Sequence, residues 1–219
     1  MSKIDRRRKT VLILECDSDK LRQQNLDVGA ELRDQINLVF PRNLVELVSA
    51  STEGDLLESF AELSRTKQSY RTIIIIGHSN RHVLALSADR PVGWRSVGNW
   101  ISTFRPHRVI LLACEAGRWL PCAAVFDSIP SLDVIFGSPL PASKQQQLVV
   151  LARVLHILGA RKEDVGLNRL LQWANFALTG GVMFTRTRKE YENGGNEEGE
   201  IWTNALEPFI EEIASRFRT

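Results

Sequence analysis

The chain has 219 residues, of which 43% are hydrophobic and 25% charged, with a formal net charge of +2. This length and apolar content predict one globular unit with a sizeable core. The near-neutral charge balance excludes a global field that would attract nucleic acid or an acidic substrate. No stretch approaches the roughly 18 consecutive apolar residues that a membrane helix needs, so neither a nucleic acid nor a membrane is expected as a partner.

The three cysteines, Cys16, Cys114 and Cys122, form an odd set without CxxC spacing. This pattern is typical of thiols in a reducing compartment rather than of a disulfide framework. The start of the chain carries no secretory signal, and a cytoplasmic location is therefore expected. With four histidines and no paired Cys and His spacing, we expect no zinc site and no other cofactor.

Five short apolar runs predict buried strands in chain order, at residues 10–17, 44–50, 72–79, 108–114 and 132–138. Apolar residues at helical spacing predict helices between them, at 19–40, 51–65 and 94–104. A Ser or Thr cap is expected to begin the second helix. Residues 82–94 predict a short extended excursion with a turn, placed between the third strand and the third helix.

The last third of the sequence has a different pattern. Three further helices are predicted at 143–159, 163–181 and 201–217, and an edge strand at 182–191. On that strand, Arg186, Arg188 and Lys189 are expected to lie along a solvated face. The basic residues 1–9 predict a frayed tail, and the acidic residues 192–200 predict a mobile loop. No linker divides the chain, so residues 1–219 are predicted to form a single α/β domain.

Alternating strands and helices are the signature of an open parallel sheet covered by helices on both faces. In such sheets, functional groups gather beyond the carboxyl ends of the strands. His78 follows the third apolar run, and Cys114 ends the fourth. If these strands are neighbours, about 4.8 Å separates them. An imidazole beside a thiol can generate the thiolate, which is the reactive nucleophile.

These two strand ends resemble those of the caspase-like cysteine peptidases of clan CD. Gly77-His78 ends one strand, and Ala113-Cys114, followed by an acid and Gly117, ends the next. The pattern is similar to the CHAT, separase and metacaspase-like branches, and it covers residues 10–138. The resemblance implies a three-layer α/β/α sandwich with a mostly parallel central sheet. It also implies an endopeptidase acting on protein or peptide substrates, with a sensor or adaptor protein as a possible partner in bacterial defence or regulated proteolysis.

The resemblance implies a role for each matched residue. His78 is the general base or the ion-pair partner of the thiolate, and Cys114 is the nucleophile that forms a thioester with the substrate. The oxyanion is held by the main-chain N–H groups of Cys114 and Ser79. Asp17 and Glu115 are the candidate substrate-binding acids: Asp17 would favour Arg or Lys before the cut bond, and Glu115, beside the cysteine, could join or orient the site. Asp17 could instead cap the helix that follows it.

The sequence departs from the family pattern at two positions and leaves two alternatives open. Ser79 stands where the family has Gly, and Ala116 stands where the caspase signature has Gly. One alternative is therefore a catalytically degenerate binding module. The other is a serine α/β-hydrolase that uses Ser79, because residues 77–81 resemble the G-x-S-x-G elbow, although Arg81 replaces the last Gly.

Other reactive or bulky side chains are expected to be structural. Free cysteines are often buried as small apolar groups, and helical spacing of tryptophans favours packing over ligand binding. We therefore predict packing or surface roles for Cys16, Cys122, His82, His107, His156, Trp94 and Trp100.

Overall fold

A computed structural model of the chain describes residues 11–16, 28–39, 45–66, 69–87, 90–138 and 184–193. The predictions for the tail 1–9 and for the helices at 143–159, 163–181 and 201–217 lie outside these ranges. So do Asp17 and His156, together with residues 194–200 of the predicted acidic loop.

Nine strands and five helices make up the described part. The strands are β1 Val11–Cys16, β2 Val45–Ala50, β3 Thr72–Ile76, β4 His78–Ser79, β5 Val83–Ser87, β6 Arg90–Gly93, β7 Arg108–Leu112, β8 Val134–Gly137 and β9 Phe184–Thr187. The helices are α1 Val28–Val39, α2 Glu53–Arg65, α3 Trp94–Ser102, α4 Trp119–Ser128 and α5 Arg188–Glu192.

The central sheet has six strands in the order β2-β1-β3-β7-β8-β9. The first five are parallel, and β9 pairs antiparallel with β8 at the edge. All five predicted parallel strands are therefore confirmed. Residues 73–76 of β3 are completely buried, because helices cover both faces of a parallel sheet and every side chain of a central strand meets a packed layer. The architecture is an α/β sandwich.

The two faces of the sheet carry different helices. Leu12 and Leu14 of β1 belong to the same buried cluster as residues of α2, α3 and α4. Glu15 points to the opposite face, since side chains alternate along a strand. There its carboxylate accepts hydrogen bonds from the main-chain N–H of Gly29 in α1, at 2.8 Å, and from the Ser49 hydroxyl, at 3.0 Å. A buried acid thus ties α1 to the sheet.

Helix α2 begins where the sequence predicts a cap. The Thr52 hydroxyl accepts from the Asp55 N–H at 3.1 Å, and the Asp55 carboxylate accepts from the Thr52 N–H at 3.0 Å. This reciprocal capping satisfies two of the N–H groups that the first turn of a helix leaves without partners.

The predicted edge strand at 182–191 is wrong beyond Thr187. There the Thr187 hydroxyl accepts from the Glu190 N–H and the Glu190 carboxylate accepts from the Thr187 N–H, so a capping box starts α5. Glu192, expected to begin a mobile loop, ends this helix instead. A Thr followed three residues later by Glu is a capping signal, and it overrides the strand-like alternation of the preceding residues.

Arg188 lies on no solvated strand face, contrary to the prediction. Its guanidinium donates to three main-chain carbonyl oxygens, that of Phe126 in the last turn of α4 at 3.1 Å, that of the C-cap Ile129 at 2.6 Å, and that of Leu132 in the following loop at 2.7 Å. The last carbonyls of a helix have no partners within the helix, and the helix dipole makes that end negative. Arg188 therefore caps the end of α4 with a half-buried cation.

Replacing Arg188 with alanine is expected to lower the free energy of unfolding by about 2–3 kcal/mol, because three hydrogen bonds to a charged donor are lost. Lys189→Ala is the matched control, since Lys189 is the exposed next residue and should change stability by less than about 0.5 kcal/mol. Urea unfolding measures both values. Equal stability of the two variants would contradict the capping role.

Tyr70 brings a hydroxyl into the core. Its side chain is completely buried beside Phe104, with the rings edge to face at 5.4 Å. Its Oη has no hydrogen-bond partner among the described residues. Burial, reinforced by the nearby charge of Glu46, raises the pKa of Tyr70 from 10.0 to about 12.

Tyr70→Phe is expected to be as stable as the wild type at pH 7, since removing a buried hydroxyl without a partner costs no hydrogen bond. Because the pKa of Tyr70 is raised in the folded state, the phenol is protonated in both states below pH 10, whereas between pH 10 and 12 it ionises mainly in the unfolded chain, which lowers the stability of the fold. The wild type should therefore lose up to about 2.7 kcal/mol more than the variant across that range. Urea unfolding at pH 7, 10 and 12 checks this, and parallel losses in both proteins would contradict it.

Candidate functional site

His78 and Cys114 follow two strands that are direct neighbours. Strands β3 and β7 are paired in parallel, and their last paired residues are Ile76 and Leu112. His78 and Cys114 each lie two residues beyond that last pair. The N–H of Gly77 donates to the carbonyl of Leu112 at 3.4 Å, which continues the contact past the strands. The chain therefore brings both residues to the same edge of the sheet, beyond the carboxyl ends of its strands.

The predicted strand at 72–79 divides at Gly77 and leaves the central sheet. His78 and Ser79 form β4, which pairs antiparallel with β5 in a separate three-stranded sheet, β4-β5-β6. Strands β5 and β6 of this sheet lie within the predicted extended excursion at 82–94, whereas β4 comes from the predicted third strand. We call residues 77–87 the histidine hairpin. A β-carbon at Gly77 would lie 3.0 Å from Leu84 Cδ1, so the absence of a side chain lets the two halves of the hairpin approach.

The tip of the histidine hairpin is fixed by Asn80. Its side-chain oxygen accepts from the main-chain N–H groups of His82, at 2.7 Å, and Val83, at 3.0 Å. Its carbonyl accepts from the indole N–H of Trp94 at 3.1 Å. Trp94 is buried and confirms its predicted core role, but it also anchors the hairpin that carries His78. The sequence reasoning missed this second role.

The histidine hairpin touches the loop that follows β7, residues 113–118, which we call the cysteine loop. The Ser79 hydroxyl donates to the carbonyl oxygen of Cys114 at 2.5 Å. The N–H of Arg81 points at a carboxylate oxygen of Glu115, 3.4 Å away. His78, Ser79, Cys114 and Glu115 are all half-buried. The two loops therefore form one contiguous, partly accessible surface.

Glu115 has internal partners that the sequence did not reveal. Its backbone has a φ of 57°, in the left-handed region that non-glycine residues seldom adopt. Its second carboxylate oxygen lies 2.9 Å from the Arg118 guanidinium, and the two side chains are 23% and 27% exposed. The Glu115 carboxylate thus links the cysteine loop to the start of α4. Its predicted role in substrate binding stays a prediction, and it requires the carboxylate to act while paired or to release Arg118.

Gly117 has a packing role that the sequence analysis did not identify. A β-carbon at this position would lie 2.3 Å from the carbonyl oxygen of Gly137, in β8. The Gly117 N–H donates to the carbonyl of Ser138 at 2.8 Å. Two glycines therefore let the cysteine loop rest directly on the main chain at the end of the next strand. The sequence signal was a Gly in the loop after β7 and a Gly at the end of β8, the next strand of the central sheet.

The other two thiols are structural, as predicted. The side chains of Cys16 and Cys122 are 1% and 0% exposed, whereas Cys114 is half-buried. The Cys122 thiol faces the carbonyl of Ala116 at 3.6 Å, and burial raises the pKa of Cys122 from 9.0 to about 12. A thiol held in its protonated form by burial is a poor nucleophile. None of the three cysteines forms a disulfide.

The remaining predicted residues are exposed, packed against the core, or outside the described residues. His82 and His107 are exposed, and His107 pairs with Asp133 at 3.0 Å. Trp100 packs against the core, as predicted. Asp17, the second candidate substrate-binding acid, follows β1 directly but lies outside the described residues.

No family model and no curated protein sequence matches the chain. Solved structures do match it. A secreted C11 cysteine protease from Bacteroides thetaiotaomicron in complex with an irreversible peptide inhibitor is 10% identical, with a TM-score of 0.56 over 84% of this chain and 67% of that one. A second structure of the same enzyme, called iotapain, is 9% identical, with a TM-score of 0.57 over 85% of this chain and 68% of that one. An inactive zymogen C11 protease from Parabacteroides distasonis is 13% identical, with a TM-score of 0.54 over 84% of this chain and 63% of that one.

The chain has the caspase-like fold of the C11 cysteine proteases. At identities of 9–13%, the similarity establishes the fold alone. The chain spans about two thirds of the length of those proteases. None of the described helices is long and apolar enough to cross a membrane.

The structure argues against the serine hydrolase alternative. A G-x-S-x-G elbow requires the serine to stand between a strand and a helix, but Ser79 lies in β4, which turns into the antiparallel strand β5. A nucleophilic serine also has to donate its proton to a base. The Ser79 hydroxyl donates instead to the Cys114 carbonyl.

Proposed function

We propose that this chain is a cysteine endopeptidase in which His78 and Cys114 form the catalytic dyad. The observation that supports this most is the common position of the two residues, each two beyond the last paired residues of β3 and β7. The contact between Ser79 and the Cys114 carbonyl supports it further, because it joins the loops that carry the two groups. The match to proteases in fold agrees with this reaction class.

The proposed reaction has two stages. The His78 imidazole takes the proton of the Cys114 thiol, and the thiolate attacks the carbonyl carbon of the scissile peptide bond. The main-chain N–H groups of Ser79 and Cys114 stabilise the negative oxygen that forms. The C–N bond then breaks, and the imidazolium donates its proton to the departing amine, which leaves a thioester. Water, deprotonated by His78, hydrolyses the thioester and restores the thiol.

The finer parts of the proposal concern specificity and context. An acid at Asp17, directly after β1, would favour Arg or Lys before the cut bond, since a carboxylate binds a guanidinium with two parallel hydrogen bonds. We assign the chain to the CHAT, separase and metacaspase-like branch on its strand-end motifs. A sensor or adaptor partner, and a role in bacterial defence or regulated proteolysis, belong to the same proposal. Three cysteines without a disulfide favour the cytoplasm.

The experiment is a peptide-library cleavage profile of the wild-type protein and of Cys114→Ala. Cleavage by the wild type alone, enriched for Arg or Lys before the cut bond, supports the full proposal. Cleavage by the wild type without that enrichment overturns the role of Asp17 only. No cleavage by either protein, with a Cys114 thiol that iodoacetamide alkylates no faster than free cysteine at pH 7, would favour the degenerate binding module.

A further inference from the structure

Ser79 stands where the caspase-like peptidases have glycine, and its hydroxyl forms a hydrogen bond within the protein. It donates to the carbonyl oxygen of Cys114, the residue that carries the proposed nucleophile, across 35 positions of sequence. We infer that Ser79 is a positioning residue, whose side chain fixes the main chain of the cysteine loop so that Cys114 faces His78. The inference rests on the proposed function and deepens it.

The hydrogen bond acts on the part of the cysteine loop that most needs support. The carbonyl of Cys114 belongs to the peptide unit that joins it to Glu115, and Glu115 has a φ of 57°. Sparsely populated backbone conformations of this kind persist only where surrounding contacts hold them. Ser79 holds the peptide unit from the carbonyl side. On the other side, the Glu115 carboxylate lies between the Arg81 N–H and the Arg118 guanidinium.

The same contact couples the two proposed catalytic groups. His78 and Ser79 are consecutive residues of β4, which is held in register by β5. The hydrogen bond from the Ser79 hydroxyl to the Cys114 carbonyl therefore sets the distance between the main chains that carry the imidazole and the thiol. Reactions of bound groups depend steeply on such placement, and a shift of about 1 Å can cost on the order of 100-fold in rate.

The test compares two isosteric variants, Ser79→Thr and Ser79→Val. Both side chains are β-branched and suit a strand, and both leave the Ser79 main-chain N–H in place, so they differ only in a hydroxyl against a methyl group. We expect kcat for a peptide substrate to be about 10-fold higher in Ser79→Thr than in Ser79→Val. KM should differ by less than about 2-fold, because the hydroxyl acts through the loop and not on the substrate.

A control variant removes a similar hydrogen bond elsewhere. The Ser102 hydroxyl donates to the carbonyl of Asn99 at 2.7 Å, near the end of α3, and the chain leads from there to the start of β7, opposite its Cys114 end. Ser102→Ala should therefore keep the kcat of the wild type. The unfolding midpoints of all variants are measured in parallel, so that any difference in kcat is taken between folded proteins.

The outcomes separate the inference from the proposed function. Equal kcat values for Ser79→Thr and Ser79→Val, in a wild type that cleaves peptides through Cys114, would overturn the inference and leave the peptidase intact. A wild type without cleavage would overturn both. A difference confined to KM would place the hydroxyl against the substrate and would also overturn the positioning role.

Discussion

Replacing Cys114 with alanine is expected to reduce kcat/KM for peptide cleavage by about 10⁴-fold or more, and His78→Ala should cause a loss of similar size. Removal of either member of a nucleophile and base pair disables both, so the two losses should not add in the double variant. Both side chains are half-buried and at the edge of the sheet, so the unfolding midpoints should stay close to that of the wild type. Steady-state kinetics and thermal unfolding measure these quantities.

Cys16→Ala is the matched control for this prediction. Cys16 also ends a parallel strand, but its side chain is buried in the core cluster. Its removal should cost some stability through lost packing, about 1 kcal/mol, and leave catalysis in place. If Cys16→Ala lost activity as Cys114→Ala does, while remaining folded, the site would be assigned to the wrong thiol.

The sequence predicted the sheet well because its signal is strong and local. Continuous apolar runs between helical patterns require strands buried on both faces, and each of the five runs contains one. Helix α4 was missed because its local signals are weak. Its first residue follows Arg118, which makes no side-chain cap, and Pro121 lies within its first turn. Proline is tolerated in the first turn of a helix, but in a sequence it usually indicates that a helix is interrupted.

The contacts that define the site could not be predicted in the same way. The ends of consecutive parallel strands indicated where His78 and Cys114 would lie, because that rule depends only on topology. The Ser79 hydroxyl and the Cys114 carbonyl, or Arg188 and the end of α4, meet across 35 and more positions of chain. Such contacts depend on which loops face each other after folding, and no periodic pattern encodes them.

Gly117→Ala is expected to destabilise the protein by about 3 kcal/mol and to lower kcat/KM by about 100-fold. The new β-carbon would lie 2.3 Å from the Gly137 carbonyl oxygen and 2.5 Å from its carbonyl carbon. These are main-chain atoms of β8, which is paired with a strand on each side, so no flexible side chain can move aside. The cysteine loop itself must shift, and Cys114 lies three residues before the clash. Urea unfolding and peptide-cleavage kinetics measure the two effects.

Gly93→Ala provides the control for this substitution. A β-carbon at Gly93 meets no atom within 4 Å, and its φ of −65° is one that any residue adopts. Gly93 is the N-cap of α3, where alanine is less favourable than glycine, so Gly93→Ala should cost at most about 1 kcal/mol of stability. Gly117→Ala with the stability and activity of Gly93→Ala would mean that the cysteine loop does not rest on β8. The packing of Gly117 against Gly137 would then play no part in positioning Cys114, whatever the hydrogen bond from Ser79 contributes.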